Sequence, residues 1–388
     1  MPINPAIQNL AADAQAWRRD IHQHPELLYD VPRTAAFVAE RLKAFGCDEV
    51  ATGIGRSGVV GIIRGRGPAS QRTIGLRADM DALPIHETTN LAYQSTNPGK
   101  MHACGHDGHT AMLLGAARYL AQSRNFSGTA VMIFQPAEEG GGGGKAMLDD
   151  GLMERFGVQE VYGMHNWPRL PVGTFAIRKG PFLAAADRFT IDIEGRGGHA
   201  AQPHFGVDPI AAGAQIVSAL QTIVARNVDP LDSCVVSVTC FHAGDTDNVI
   251  PQTAQLRGTT RTLLNKTRDF AERRITEIAK GVGAALGVNV DVQYKRGYPP
   301  TINHPKETDF AATIARKISG DSGVVTEAPP EMGAEDFSYM LEARPGAFIF
   351  VGNGDSASLH HPGYDFNDAA LPYGMSYWAQ LVESALAV

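Results

Sequence analysis

The sequence predicts an α/β fold with a mostly parallel central sheet, into which a smaller two-layer α+β domain of the ferredoxin-like type is inserted. Three observations predict this fold. The chain has 388 residues, which is long for one compact domain. In its first part, short apolar runs alternate with helical stretches, as in parallel sheets that carry helices on their faces. In its middle part the order of elements becomes β-α-β-β-α-β, and near the end the chain returns to a helix followed by a strand.

The first part begins with two predicted helices. Apolar residues recur at steps of three and four from Ile7 to Ile21. His24-Pro25 ends this helix, because proline disfavours helical geometry in the residue before it. A second helix is expected over 34–45, ended by Gly46. The elements that follow are four buried strands and one helix, namely strands over 59–63, 74–77, 130–134 and 161–164 and a helix over 110–121.

The middle of the chain has a different pattern. Strands are expected over 189–193, 234–241, 255–261 and 288–294, and helices over 208–226 and 267–286. The resulting order, β-α-β-β-α-β, is that of a split βαβ domain. After Pro299-Pro300 the chain returns to helix and then to a strand over 347–351. We therefore expect one domain from residues 1–183 and 300–388 and an inserted domain from residues 184–299.

The overall charge argues against several classes of partner. The net charge is −7 and the sequence pI is about 6.0, so phosphates of nucleic acids and anionic membrane surfaces are repelled. No apolar run is long enough to span a bilayer. The amino-terminal residues do not have the pattern of a secretory signal, and the four cysteines lack the spacing of a disulfide scaffold. We expect a cytoplasmic protein without nucleic-acid or membrane partners.

Four short segments concentrate side chains that bind metals. They are MHACGHDGH (101–109), QPAEEG (135–140), GMHN (163–166) and LHHP (359–362). Each follows a predicted strand or lies in a glycine-rich loop, and ligands of α/β sheets gather at the carboxyl ends of the strands. Together the segments supply thiolate, imidazole and carboxylate, which are ligands of transition metals.

Two of these segments indicate hydrolytic chemistry most directly. Cys104 and His106 lie two residues apart, so both side chains can reach one ion. Glu138 and Glu139 follow an apolar run, where two adjacent carboxylates repel each other if both are buried and unpaired. A metal resolves the conflict if one carboxylate binds it and the other accepts a proton from the attacking water. The structural alternatives are a buried cysteine beside a solvent-exposed histidine and two solvated glutamates.

The same segments, with several others, carry a resemblance to a known family. The others are RRDIHQHPE (18–26), LRADMDALP (76–84), GGHA (197–200), NVIP (248–251), GAED (333–336) and DFN (365–367). Over nearly its whole length the chain resembles the dinuclear metallopeptidases of the aminoacylase and carboxypeptidase-G type. Within that family it is similar to the hippurate hydrolase and indole-acetyl-amino-acid hydrolase branch. The resemblance implies a hydrolase that cleaves the amide bond of N-acyl amino acids.

The resemblance also implies a dinuclear metal site. Glu138 would be the general base, and Asp81 a carboxylate that orients a ligand. Asp79 occupies a position at which the wider family has a histidine, as is typical of this branch. The implied cofactors are two divalent ions, zinc or manganese, with nickel or cobalt as further candidates. The implied ligands are Cys104, His106, Glu139, His165 and His360.

The inserted domain is implied to be a lid and dimerisation domain that contacts the substrate. His199 would donate to the carbonyl oxygen of the scissile amide, and Asn248 and Arg261 would hold the substrate carboxylate, with Gly333 also at the substrate site. A solvated side chain at a strand end is the alternative for Arg261. A homodimer or a dimer of dimers is expected, and His199 could act in its own subunit or in the neighbouring one.

Two other functions remain open at this level. A dipeptidase or aminopeptidase of the same family would need an acidic pocket for the substrate ammonium group, which the sequence does not reveal. A non-catalytic binding protein with this fold would be expected to lack Glu138 or a metal ligand, and none is missing. The expected substrate is therefore a small N-acyl amino acid, either hippurate-like or N-acetylated.

Overall fold

The computed structural model describes residues 3–388, which divide into two compact units. The first unit contains the chain up to Gly180, then Ile302–Pro329 and Asp336–Val388. The second unit contains Pro181–Thr301 and the short segment Pro330–Glu335. Within residues 3–388 no helix is both long enough and apolar enough to cross a membrane.

The first unit is built on an eight-stranded mixed sheet. In spatial order its strands are Glu49–Ile54, Gly58–Arg64, Thr129–Gln135, Thr73–Asp79, Glu160–Pro168, Gly346–Gly354, Phe175–Ala176 and Val324–Val325. The third to sixth strands in this order run parallel to one another. Their carboxyl ends therefore lie at one edge of the sheet, as the sequence predicted. These strands are almost completely buried, which explains why they read as continuous apolar runs.

Helices surround this sheet. Their bounds are Pro5–Gln8, Ala11–Gln23, Pro32–Phe45, His106–Ser123, Gly143–Asp149, Leu152–Arg155, Pro305–Ser319, Phe337–Ala343 and Leu371–Ala385, with 3₁₀ turns at Asp321–Gly323 and Asp368–Ala370. The helix His106–Ser123 packs against Ala11–Gln23, Leu371–Ala385 and the strand Thr73–Asp79. It begins at His106, four residues before the predicted start, and Gly105 before it adopts a left-handed conformation with φ 91°. A proposed metal ligand is therefore the first residue of a buried helix.

The second unit has the predicted β-α-β-β-α-β order. Its antiparallel sheet contains, in spatial order, Cys234–Ala243, Thr253–Thr262, Ala185–Glu194 and Asn289–Arg296. Along the strand Ala185–Glu194 inward residues such as Phe189 and Ile191 alternate with more exposed ones, because only one face packs against the helices. The helices are Pro209–Thr222 and Asn265–Leu286, and the short elements are Gly198–His199, Pro203–Phe205, Ile223–Asn227 and Val249–Ile250. Two further short strands, Gly180–Leu183 and Thr301–Asn303, include the residues at which the chain passes from one unit to the other. The predicted fold class, a mostly parallel sheet with a smaller α+β domain, is confirmed.

Candidate metal centre

The parallel strands of the first unit end next to the segments that the sequence singled out. Thr73–Asp79 and Thr129–Gln135 pair in parallel, with Asp79 opposite Gln135. Asp81 follows the first of these strands closely, and Glu138 and Glu139 follow the second. His165 lies in the neighbouring strand Glu160–Pro168. This register brings carboxylates and imidazoles from distant parts of the chain to one edge of the sheet.

The proposed ligand atoms lie close together at this edge. Three groups each have ligand atoms within 4.8 Å of one another, and they share members: Cys104 with His106 and His165, Cys104 with Glu139 and His360, and His106 with Glu138 and Glu139. The five proposed ligands and the proposed base Glu138 therefore form one cluster in the first unit. Most of it is buried, but the side chain of His360 is 52% exposed.

The donor set of this cluster fits a divalent transition metal. Both ring nitrogens of His106 are buried without a hydrogen-bond partner within residues 3–388, and the buried Oε1 atom of Glu139 lies 3.3 Å from Nε2 of His360. The nearest carboxylate oxygens to the imidazole, on Asp81 and Asp79, are 3.5 and 3.6 Å away. Leaving such atoms unpaired costs about 1–3 kcal/mol each. A bound cation would provide the missing partner, and thiolate, imidazole and carboxylate are suitable ligands for it.

Burial and mutual repulsion shift the pKa values of the cluster. Burial, together with the charges of Glu139 and Glu138, raises the pKa of the Cys104 thiol well above its usual value. Burial also raises the pKa of Asp81 and, with His109 nearby, lowers that of His165. A divalent cation would reverse the shifts of Cys104 and Asp81, because it stabilises thiolate and carboxylate, and it would favour the neutral imidazole of His165 further.

Asp81 holds the turn that presents the two glutamates. Its Oδ1 accepts a hydrogen bond from the backbone N–H of Glu138 at 2.9 Å, and its Oδ2 accepts one from that of Glu139 at 3.1 Å. The turn needs such support, because Ala137 before it has a left-handed φ of 54°, which is strained for a residue with a side chain. One carboxylate thus fixes the backbone of both the proposed base and a proposed ligand.

Glu138 is supported by residues to which the sequence motifs assigned no role. Its Oε1 accepts a hydrogen bond from the backbone N–H of Asp336 at 3.4 Å. The Asp336 carboxylate in turn accepts hydrogen bonds from Arg77 at 2.9 Å, from Gln135 at 2.7 Å and from the N–H of Gly144 at 2.7 Å. The sequence signal for this network was Arg77 in the middle of a buried strand, because a fully buried charge needs a partner.

Asp79 stands at the position where the wider family has a histidine, and both of its carboxylate oxygens accept hydrogen bonds from neighbouring side chains. Arg77 Nη1 donates to its Oδ2 at 2.8 Å, and His109 Nδ1 donates to its Oδ1 at 2.6 Å. Burial opposes ionisation, but His106, His109 and Arg77 outweigh it and hold the pKa of Asp79 well below its usual range. Asp79 is therefore an ionised carboxylate whose two oxygens are both engaged by protein donors.

The other predicted site residues belong to the second unit. His199 is exposed and pairs with Val249 in a short two-stranded ribbon, where the N–H of Ala200 donates to the carbonyl of Asn248 at 3.0 Å. Arg261 is half-buried, and its Nη1 donates to the Thr259 hydroxyl at 2.5 Å. The Gly333 carbonyl accepts a hydrogen bond from the N–H of Ala184 at 2.9 Å. The catalytic role of His199 and the substrate-binding roles of Asn248, Arg261 and Gly333 remain predictions.

Comparison with known proteins identifies the family. Residues 75–384 match the sequence model of peptidase family M20/M25/M40. The chain belongs to this family. The family membership expected from the sequence motifs is thus confirmed, and the chain is a metal-dependent hydrolase of amide bonds.

Individual members of the M20 family are similar over almost the whole chain. A hippurate hydrolase of Campylobacter jejuni is 43% identical over 381 residues, which are 98% of each protein. An N-acetyl-L-cysteine deacetylase of Bacillus subtilis is 41% identical over 95% of this chain and 87% of that protein. The crystal structure of the Bacillus subtilis YXEP protein, a dinuclear metal binding peptidase, has a TM-score of 0.86 and 34% identity, covering 98% of this chain and 99% of the other.

Proposed function

We propose that this chain hydrolyses N-acyl amino acids, hippurate-like or N-acetylated, to a carboxylic acid and a free amino acid. The observation that carries the proposal is the buried cluster in which the unpaired nitrogens of His106 lie beside the adjacent carboxylates Glu138 and Glu139. The two relatives described above, which act on hippurate and on N-acetylcysteine, support this substrate class. Two divalent ions would be held by Cys104, His106, Glu139, His165 and His360.

In this proposal the protein supplies the base and the framework of the reaction. When bound, the ions polarise the scissile carbonyl and make water a better nucleophile. Glu138 accepts a proton from the attacking water and returns it to the leaving nitrogen, so that the amine departs neutral. Asp81 and the backbone N–H of Asp336 hold Glu138 in place for both transfers.

We propose zinc or manganese as the ions, with nickel or cobalt as further candidates. The Cys104 thiolate supports the softer metals of this set, whereas Glu139 also suits manganese. A cytoplasmic location is proposed as well, and the four free cysteines are in keeping with it.

The second unit is proposed to act as a lid and a dimerisation domain. His199 and Asn248 lie beyond one end of its sheet, next to the strand residues Glu194 and Thr253. Arg261 lies near the other end of the strand Thr253–Thr262, eight residues along, which corresponds to about 26 Å. One copy of this unit cannot place both Asn248 and Arg261 on the same small carboxylate. This separation supports a homodimer, or a dimer of dimers, in which His199 and Asn248 complete the site of the neighbouring subunit.

Mixing two inactive variants tests this shared site. Glu138→Gln removes the base, and His199→Ala removes the donor that is proposed to stabilise the developing oxyanion. If His199 acts in the neighbouring subunit, a one-to-one mixture refolded together should recover about a quarter of wild-type activity, because half of the dimers are hybrids with one intact site. Mixing each variant with itself is the control. A mixture that forms hybrids but remains inactive would place His199 in its own subunit or outside the site.

A substrate panel tests the proposed function itself. N-benzoylglycine and several N-acetyl amino acids should be hydrolysed, with release of the free amino acid measured by an amine-reactive dye. Glycyl dipeptides with a free amino group should react at least about tenfold more slowly, because no group proposed at the site would offset the cost of desolvating an ammonium ion. Faster cleavage of the dipeptides would reassign the chain to the dipeptidases or aminopeptidases of the family.

A further inference from the structure

The residue after His165 is completely buried and uses all of its polar atoms. The side-chain amide of Asn166 donates to the carbonyl oxygen of Cys104 at 2.7 Å, and its Oδ1 accepts a hydrogen bond from the Tyr364 hydroxyl at 2.6 Å. Its backbone N–H donates to His109 Nε2 at 2.9 Å. Its backbone carbonyl accepts a hydrogen bond from His165 Nδ1 at 2.7 Å. Asn166 thus links the segment that contains Cys104 to the strand Glu160–Pro168, which contains His165.

These bonds fix the orientation of the histidine rings around Asn166. Because a backbone carbonyl only accepts, the proton of His165 is on Nδ1, and its Nε2 faces the Cys104 sulfur at 3.3 Å. By the same reasoning the proton of His109 is on Nδ1, which donates to Asp79, and its Nε2 accepts from Asn166. His109 therefore has no nitrogen left for a metal, although it lies next to the cluster.

The glycine between Cys104 and His106 leaves the space that Asn166 needs. A side-chain carbon at Gly105 would lie 2.2 Å from Nδ2 of Asn166 and 2.7 Å from the hydroxyl of Tyr364. Both contacts are far below van der Waals distance. The amide can therefore reach the carbonyl of Cys104 only because residue 105 has no side chain, and the left-handed φ of 91° at this position also favours glycine.

We propose that Asn166 is a positioning residue that sets the distance between Cys104 and His165, and thereby the geometry of the metal site to which both contribute. This inference rests on the ligand set proposed above. Cys104 precedes the helix His106–Ser123 in a segment without regular structure, and the amide of Asn166 bonds its carbonyl directly to the strand that carries His165. Residues that orient ligands in this way typically contribute ten- to hundred-fold to metal affinity.

Cobalt(II) is a suitable probe of this geometry. A cysteine thiolate bound to cobalt gives a charge-transfer absorption in the near ultraviolet that responds to the metal–sulfur geometry. Metal-free protein would be titrated with cobalt, recording this absorption and the dissociation constant. Asn166→Ala should weaken cobalt binding roughly ten- to hundred-fold and alter the band. Tyr364→Phe, which removes only the hydrogen bond to Oδ1 of Asn166, should change both in the same direction but less.

Two other buried residues provide matched controls. Asn303 is 1% exposed and bonds the backbone of Arg178 and Phe348, neither of which is a proposed ligand. Tyr377 is buried like Tyr364, but its hydroxyl has no hydrogen-bond partner within residues 3–388. Asn303→Ala should lower the unfolding temperature without changing the cobalt band or affinity. Tyr377→Phe should change neither the cobalt band nor the cobalt affinity.

The outcomes separate this inference from the proposed ligand set. If wild-type protein shows a thiolate band that Cys104→Ser removes, but Asn166→Ala and Tyr364→Phe bind cobalt as the wild type does, only the role of Asn166 is refuted. If wild-type protein shows no such band, the ligand set is wrong and the inference fails with it. If Asn166→Ala does not fold, Tyr364→Phe decides, and a cobalt titration identical to that of Tyr377→Phe refutes the role.

Discussion

Glu138→Gln is expected to lower kcat by about two to four orders of magnitude while the metal content stays at the wild-type level. Glutamine has nearly the same shape as glutamate but does not accept the proton of the attacking water. Glu138 is 7% exposed, and its Oε1 accepts a hydrogen bond from the N–H of Asp336, which an amide oxygen can also accept. The substitution should therefore leave the fold intact. Steady-state kinetics and elemental mass spectrometry on the same sample measure both quantities.

Glu307→Gln is a matched control for this prediction. Glu307 is also 7% exposed, but it lies in the helix Pro305–Ser319 and belongs to none of the groups of potential metal ligands. Its replacement should leave kcat close to that of the wild type. Turnover near the wild-type rate in metal-replete Glu138→Gln would show that another group is the base.

His106→Ala is expected to cause the largest loss of bound metal. His106 belongs to two of the groups that form the cluster, one with Cys104 and His165 and one with Glu138 and Glu139. Its ring nitrogens are buried and make no hydrogen bond within the described chain, and the carboxylates of Asp81, Asp79 and Glu139 lie 3.5, 3.6 and 3.9 Å from them. Loss of a residue that merely orients a ligand lowers metal affinity ten- to hundred-fold, so loss of a ligand should exceed about a hundred-fold. Metal competition titrations measure this change.

His102→Ala is the control from the same segment. His102 is buried to the same degree, and both of its ring nitrogens are also unpaired within residues 3–388, but it belongs to no group of potential ligands. Its replacement should leave metal affinity within about threefold of the wild type. Equal losses of metal in both variants would mean that burial of an imidazole in this segment, and not ligation by His106, maintains the site.

The sequence revealed the buried central strands, and it missed an edge strand and two helices. The central strands are buried on both faces and were recognisable as apolar runs. The edge strand Glu49–Ile54 is largely exposed apart from Ile54, so it contains no such run. The helix Leu371–Ala385 is buried on almost every side and was also missed. The helix Gly143–Asp149 starts inside a run of glycines that indicated only a loop.

Close packing explains why glycine occurs in the helix Gly143–Asp149. A side-chain carbon at Gly144 would lie 2.9 Å from the backbone oxygen of Asp336, and one at Gly143 would lie 1.6 Å from that of Pro136. The two glycines therefore let the helix approach the segments that hold Glu138. Such a tertiary requirement overrides the low helix propensity of glycine, and it cannot be recognised in a local pattern.

Only part of the candidate site was predictable from local sequence patterns. Its proposed ligands lie in short segments rich in histidine, cysteine and glutamate, which stand out in the sequence. The residues that support them do not, because Arg77, Asn166, Asp336 and Tyr364 come from four separate segments and meet only in the folded chain. Three of the four lie in the sequence motifs of the family, but only the arginine within an apolar strand indicated a buried partner. The return of Pro330–Glu335 to the second unit had no local signal at all.

The most direct test of the account is hydrolysis of N-benzoylglycine by protein stripped of metal and titrated with zinc or manganese. A dinuclear metal site predicts no measurable turnover in the stripped protein and a rate that rises with added metal to a plateau at about two ions per chain. The ions would bind the cluster around Cys104, His106 and Glu139. Full turnover by protein shown by elemental analysis to contain no metal would contradict it.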